Sequence, residues 1–282
     1  MLEHALIFPK LGLAFNINRI AFSVCGLDIY WYGVLMSVSF IFCTLIILLR
    51  AKTFGIDDDF AVSSIIFAIL VGIVGARLYY VVFNIKEINK FWHVFDLRRG
   101  GMAIYGGLIF GSVVLWAFAK AKKRPILPVF DLFASAVPLG QAIGRWGNFL
   151  NMEAFGTNTH LPWGMTSAQI KSALEEMKAD GMAVDPSIPV HPCFLYESIW
   201  CLLGLILITV FIKHRRFNGE ILSIYVMWYS FGRFFIEALR TDSVTFAGVR
   251  ASQVLSGLLF FSCLFCRKMM AQHSYASINT SE

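Results

Sequence analysis

The chain has 282 residues, of which 57% are hydrophobic, 15% aromatic and 15% charged, with a formal net charge of +6. Soluble domains carry about 25% charged and 45–50% apolar residues, so this balance excludes a disordered chain or solvated linker and argues against a soluble enzyme. Apolar runs near the length of a membrane span recur along the chain, and the positive charge then reads as basic connectors between spans, with no nucleic-acid partner implied.

In chain order, residues 1–28 contain Pro9, Lys10, Asn16, Asn18 and Arg19, which interrupt any apolar run. They read as an interfacial segment and not as a signal peptide. Seven spans are then predicted, over 29–49, 60–83, 102–119, 126–143, 196–212, 221–239 and 251–266. Backbone polar groups need partners in lipid, so these spans should be helices. The expected fold is an all-α integral membrane protein with a small extracytoplasmic cap over 147–195. Within that cap, 167–180 reads as a short helix ended by Gly181. A tail from 267 to 282 closes the chain.

Orientation follows from the connectors. Arg50, Lys52, Lys120, Lys122, Lys123, Arg124, Lys213, Arg215, Arg216, Arg267 and Lys268 crowd one set of short connectors. An equal number of basic residues, including Lys86, Lys90, Arg98 and Arg99, is spread over the other, much longer set. The denser set is placed in the cytoplasm, which puts the N-terminus outside and the C-terminus inside. Of the cysteines, Cys263 and Cys266 have the spacing of half a metal site, but no second pair accompanies them. No cofactor or metal is implied.

Charged groups inside spans are costly and face a protein interior or a cavity. Arg77, Arg145, Glu197, Arg233, Glu237 and Arg240 lie in or at the ends of predicted spans. With the predicted topology, Tyr32, Arg77, Tyr105, Arg145, Glu197 and Arg240 all fall toward the outer leaflet. Arginine presents a rigid fork matched to phosphate or carboxylate, so several at headgroup depth point to an anionic lipid. Arg233 and Glu237, four apart on one helix, read first as a structural pair. Gly107-x3-Gly111 and Gly140-x3-Gly144 read as sites of close helix approach. Two other functions fit a pocket of arginines: a multi-pass transporter of a small anion, which needs a polar path continuing to the cytoplasmic side, and a non-catalytic lipid-binding factor. Asp131 is the main charged group at the inner end of the spans.

Residues 144–156 read GRWGNFLNMEAFG. This segment closely resembles the hallmark of the bacterial phosphatidylglycerol–prolipoprotein diacylglyceryl transferases. Further agreement lies in WYG at 31–33, GARL at 75–78, GGMAIYGGLIFG at 100–111, HPCFLYES at 191–198 and GRFFIEALRTDS at 232–243. The resemblance implies transfer of the diacylglyceryl group of phosphatidylglycerol to the lipobox cysteine thiol in the signal peptide of a preprolipoprotein, with release of glycerol phosphate. That is the first step of lipoprotein maturation, carried out in the bilayer of the bacterial cytoplasmic membrane. It implies Arg145 and Arg240 as catalytic cations, with Tyr105 and Glu197 completing the catalytic set. Tyr32, Arg77, Asn148, Asn151, Glu153, Gly156 and Glu237, with Arg145, would bind substrate. Many family members carry histidine where this chain has Tyr105. A phenol holds its proton to about pH 10 in water, so Tyr105 is expected to position phosphate or polarise the thiol, with Glu197 helping to remove the proton.

Overall fold

The computed structural model describes residues 5–85, 91–95, 101–241, 245–246 and 249–279. Lys86, Lys90, Arg98, Arg99, Gly100, Asp242 and Ser243, which the sequence reading used, lie outside the described residues. The elements are β1 (Ala5–Phe8), β2 (Leu13–Asn16), β3 (Ile20–Val24), β4 (Leu27–Tyr30), α1 (Trp31–Arg50), α2 (Asp58–Phe83), α3 (Ile104–Ala121), α4 (Ile126–Ala134) and α5 (Val137–Asn151). They continue with α6 (Ala168–Ala179), α7 (Cys193–Ile212), α8 (Glu220–Leu239), β5 (Thr245–Phe246), β6 (Val249–Arg250) and α9 (Ala251–Asn279). Each strand pair, β1–β2, β3–β4 and β5–β6, is a separate antiparallel hairpin.

The protein is an integral membrane protein built of apolar helices. Among the described residues, five helices are long and apolar enough to cross a membrane: Trp31–Phe54, Asp58–Phe83, Ile104–Ala121, Cys193–Ile212 and Ala251–Gln272. A sixth is reached if α4 and α5 count as one broken span. The expected count of seven is therefore not met on length and composition. The fourth predicted span breaks because Pro138 lies in the first turn of α5. A proline there donates no hydrogen bond, and its ring would clash with the carbonyl four residues back, at Ala134. The sixth predicted span, α8, has the length, but Glu220, Arg233 and Glu237 dilute its apolar character.

The chain divides into two compact units, Thr44–Phe133 on the one hand and Met1–Cys43 with Ala134–Glu282 on the other. In the smaller unit, Asp57 caps α2: its Oδ1 accepts from the Phe60 N–H at 2.9 Å, and its carboxylate pairs with Arg124. Helices α2 and α3 cross in backbone contact. A Cβ on Gly106 would lie 2.3 Å from the Gly75 carbonyl oxygen, and one on Gly75 would lie 2.3 Å from Phe110 Cβ. A Cβ on Gly107 or Gly111 would lie 3.5 or 3.7 Å from the Gly72 or Ala68 carbonyl oxygen. The small-residue spacing does serve helix approach, although Gly106 makes the tighter contact.

In the larger unit, α5 presents its glycines to α1. A Cβ on Gly140 would meet Cys43 Sγ at 2.9 Å, and one on Gly147 would meet the Tyr32 ring at 2.4 Å. Helices α7 and α8 are locked by Trp200 and Trp228, whose rings stack 4.2 Å apart. Each indole N–H donates to the other residue's carbonyl at 2.9 Å. A further hydrophobic core includes Leu6, Phe8, Met152, Met165, Ile170 and Val190. It is built from the N-terminal segment and the long connector together, which the sequence reading treated as separate. Ile7 and Thr166 exchange backbone hydrogen bonds at 2.8 Å, joining the two. Helix α6 starts where expected: Ser167 Oγ accepts from the Ile170 N–H at 3.1 Å. Gly181, with φ +86°, follows it.

Candidate active site

Helices α5, α7 and α8 bring five charged side chains into one buried cluster. Glu197, in the first turns of α7, is its centre. Arg233 Nη1 donates to Glu197 Oε1 at 2.7 Å, and Arg240 Nη1 donates to the same oxygen at 3.4 Å. Arg145 Nη2 lies 2.8 Å from Glu197 Oε2 as an ion pair without hydrogen-bond alignment. Arg233 Nη2 also pairs with Glu237 Oε2 at 2.5 Å, across one turn of α8. The side chains are 19% exposed for Arg145, 15% for Arg233, 13% for Arg240, 4% for Glu197 and 2% for Glu237. Three guanidinium groups against two carboxylates leave these five with one surplus positive charge, in surroundings of low dielectric where charge is weakly screened.

Above Arg145 the chain leaves α5 in a tight turn. Arg145 Nη1 reaches Asn148 Oδ1 at 3.5 Å. The amides of Asn148 and Asn151 both donate to Glu153 Oε1, at 2.9 and 3.2 Å. Left-handed backbone in this segment falls on Met152 and Ala154, with φ of 54° and 56°. For residues with a Cβ that conformation is strained, and the surrounding hydrogen bonds and the packing of buried Met152 hold it. Gly156 answers a different demand. Its N–H donates to the His191 carbonyl at 2.9 Å and it bridges to Arg240. A Cβ there would lie 2.8 Å from Cys193 Sγ and 2.9 Å from the Leu239 carbonyl oxygen.

The remaining predicted residues are Tyr32, Arg77 and Tyr105. Tyr32 packs its ring on Gly147, beside the turn of the helix that carries Arg145. Arg77 and Tyr105 belong to the smaller unit. The Arg77 guanidinium donates to three backbone carbonyls, Val94 and Gly101 at 2.9 Å and His93 at 2.5 Å. It therefore ties His93, Val94 and Gly101 to α2. Tyr105, in the first turn of α3, is 46% exposed. The structure thus joins Arg145, Glu197, Glu237 and Arg240, with Asn148, Asn151, Glu153 and Gly156 directly above them.

Sequence reasoning missed Arg233 as a member, because its spacing to Glu237 already explained it. It also missed Arg19 and Gln169, which both donate to the Asn151 carbonyl, at 3.0 and 3.2 Å. Neither residue lies in an apolar run, so neither carries a signal of its own.

The family profile described as prolipoprotein diacylglyceryl transferase matches residues 19–267. The chain belongs to this family. A phosphatidylglycerol–prolipoprotein diacylglyceryl transferase of Clostridioides difficile is 42% identical over 240 residues, covering 85% of this chain and 90% of that one. A protein of the same name from Finegoldia magna is 40% identical, over 85% and 90% of the two chains. One from Thermotoga maritima is 39% identical, over 86% and 81%. The matched residues hold all five members of the buried cluster and the turn above it, so the site belongs to the part of the chain that defines the transferase family.

Proposed function

We propose that this protein transfers the diacylglyceryl group of phosphatidylglycerol to the lipobox cysteine thiol of preprolipoproteins and releases glycerol phosphate. The observation that carries the reading is the surplus positive charge of the Arg145, Glu197, Arg233, Glu237 and Arg240 cluster. A phosphodiester headgroup carries one negative charge and neutralises it. As the bond between the glycerol carbon and the phosphate oxygen breaks, that oxygen gains charge, and fixed guanidinium groups stabilise it without reorganising.

The nucleophile is the thiolate. The new bond is carbon–sulfur, and the electron pair of the broken carbon–oxygen bond leaves with the phosphate. The thiol proton is balanced on the departing phosphate monoester, whose second ionisation lies near pH 6. Glu197 is engaged by three guanidinium groups and acts as the carboxylate that aims them. Arg145 and Arg240 face the phosphate. Asn148, Asn151, Glu153 and Gly156 shape the headgroup pocket, and Tyr32 borders it. Arg77 holds the segment before α3, and Tyr105 positions the phosphate or polarises the thiol. The bilayer keeps the acyl chains while the reacting carbon sits at headgroup depth, so positioning is part of the catalysis.

In the same reading, 147–195 with the N-terminal segment forms an extracytoplasmic cap. The C-terminus is cytoplasmic, and the reaction takes place at the outer leaflet of the cytoplasmic membrane. The test is to incubate the purified protein with phosphatidylglycerol and a lipobox peptide and to weigh the peptide. A mass gain equal to one diacylglyceryl group, absent with Arg145→Ala, is expected. No gain with folded protein overturns the reading.

A further inference from the structure

The β3–β4 hairpin has two unlike faces. Its register pairs Phe22 with Ile29, Ser23 with Asp28 and Val24 with Leu27. Residues directly opposite in an antiparallel pair share a face, and successive residues alternate between faces. One face is therefore Phe22, Val24, Leu27 and Ile29. The other is Ser23 and Asp28, joined by a hydrogen bond from Ser23 Oγ to Asp28 Oδ1 at 2.5 Å. Cys25 and Gly26 close the hairpin with φ of 51° and 77°. A two-residue turn with both φ positive matches the twist of the strands, so the register is well specified.

The apolar face is bare. Phe22, Val24 and Leu27 are 53%, 52% and 48% exposed. A lone two-stranded hairpin is marginal in water, and an uncovered apolar face is an interaction surface. Its surroundings identify the partner. Tyr30 ends β4 and Trp31 begins α1 with no linker between them, and α1 opens one of the membrane-spanning segments. Tyr30, Trp31 and Tyr32 at this junction are the residue types that settle at the headgroup level. The bare face is thus continuous with the end of a transmembrane helix.

We propose that the β3–β4 hairpin is a membrane foot. Its Phe22, Val24 and Leu27 face seats in the interfacial zone of the leaflet in which α1 begins, and the Ser23–Asp28 face is turned to water. The partner is a phospholipid surface. The root of the foot is tied to the turn above Arg145. Arg19, just before β3, accepts from the Trp31 N–H through its carbonyl at 3.0 Å and donates Nη2 to the Asn151 carbonyl at 3.0 Å. A foot fixed in the leaflet therefore sets the height of the turn that carries Asn148, Asn151 and Glu153. This last consequence rests on the transferase reading; the seating does not.

The test places nitroxide labels singly at positions 22, 23, 24 and 28 of the full chain, with the two exposed cysteines removed as Cys25→Ser and Cys266→Ser. The protein is held in nanodiscs of phosphatidylethanolamine and phosphatidylglycerol, and collisions with oxygen and with a water-soluble nickel chelate are compared. Oxygen should dominate at 22 and 24, and nickel at 23 and 28. Equal nickel access at all four positions overturns the foot. So does protection of 22 and 24 that appears only when a lipobox peptide is added, since that result makes the face a peptide dock. A second variant, Val24→Asp with Leu27→Asp, should melt as the parent does. It should turn over bilayer phosphatidylglycerol about tenfold more slowly, while its loss in detergent-dispersed lipid stays under about twofold. Equal losses in both media overturn the link to substrate height and leave the label result to decide the seating.

Discussion

Glu197 is the residue on which the site turns. One buried carboxylate holds three guanidinium groups, each delivered by a different stretch of helix or helix end. Glu197→Gln keeps the shape but removes the charge that aims them. The cluster then has two surplus positive charges and still attracts phosphate, so KM for phosphatidylglycerol should not rise. The arginines lose their common anchor, and kcat should fall by about a hundredfold, the scale of losing a preorganised electrostatic contact. A rise in KM at unchanged kcat would make Glu197 a binding group instead. Arg233 sits between Glu197 and Glu237, so Arg233→Ala should read first in stability. Removing one partner of a buried ionic network costs about 3–5 kcal/mol, measured as a lowered melting temperature of the purified protein. Most of this cluster was legible in the sequence, because charges inside apolar runs are conspicuous. Arg233 was not, since a neighbour four residues along already accounted for it and no pattern reveals the third partner on α7. The strained turn was equally hidden, for neither Met152 nor Ala154 is a residue type that signals left-handed backbone.

At the scale of elements, local chemistry decides what hydropathy alone does not. Helix α6 was readable from both ends, because Ser167 supplies a cap and Gly181 a stop. Ser167→Ala leaves the Ile170 N–H without its acceptor and should lower stability by about 1 kcal/mol, read as a small drop in melting temperature with little change in turnover. The break between α4 and α5 was written in Pro138, but a run of apolar residues through 126–143 masked it. The hairpins were missed because their strands last only two to five residues, shorter than the windows that reveal membrane spans. The cap also carries a pH response. Burial pushes His191 below its usual value of 6.5, so the unfolded chain binds a proton before the folded one does. Above pH 6.5 both states are neutral and the cap keeps its full stability. As pH falls through 6.5 toward the lower folded value, the unfolded state gains protons and stability is lost. Thermal melting at pH 7.5 and pH 5.5 should show the lower value in acid, and His191→Gln should shrink that difference. An unchanged difference in the variant would assign the response to other groups.

For the molecule as a whole, the scarce charges divide into two populations with different work. One is the buried cluster. The other is the basic set at Arg50, Lys52, Lys120, Lys122, Lys123, Arg124, Lys213, Arg215, Arg216, Arg267 and Lys268, which crowds one set of short connectors and which the proposed orientation places in the cytoplasm. Part of this second population is built into the fold, since Arg267 on α9 donates to Glu220 at the start of α8 at 2.9 Å. That pair marks the end of α8 opposite to Arg233, Glu237 and Arg240. If the basic set is cytoplasmic, the cap and the site must face outward, toward the side on which secreted preprolipoproteins emerge. Met182, in the long connector, is 47% exposed, and Lys213, in the connector after α7, is exposed as well. In intact cells, a membrane-impermeant maleimide should label Met182→Cys directly, in a Cys25→Ser, Cys266→Ser background. It should reach Lys213→Cys in the same background only after the membrane is opened. The opposite order would invert the protein, placing the arginine cluster at the inner leaflet and out of reach of the translocated lipobox thiol.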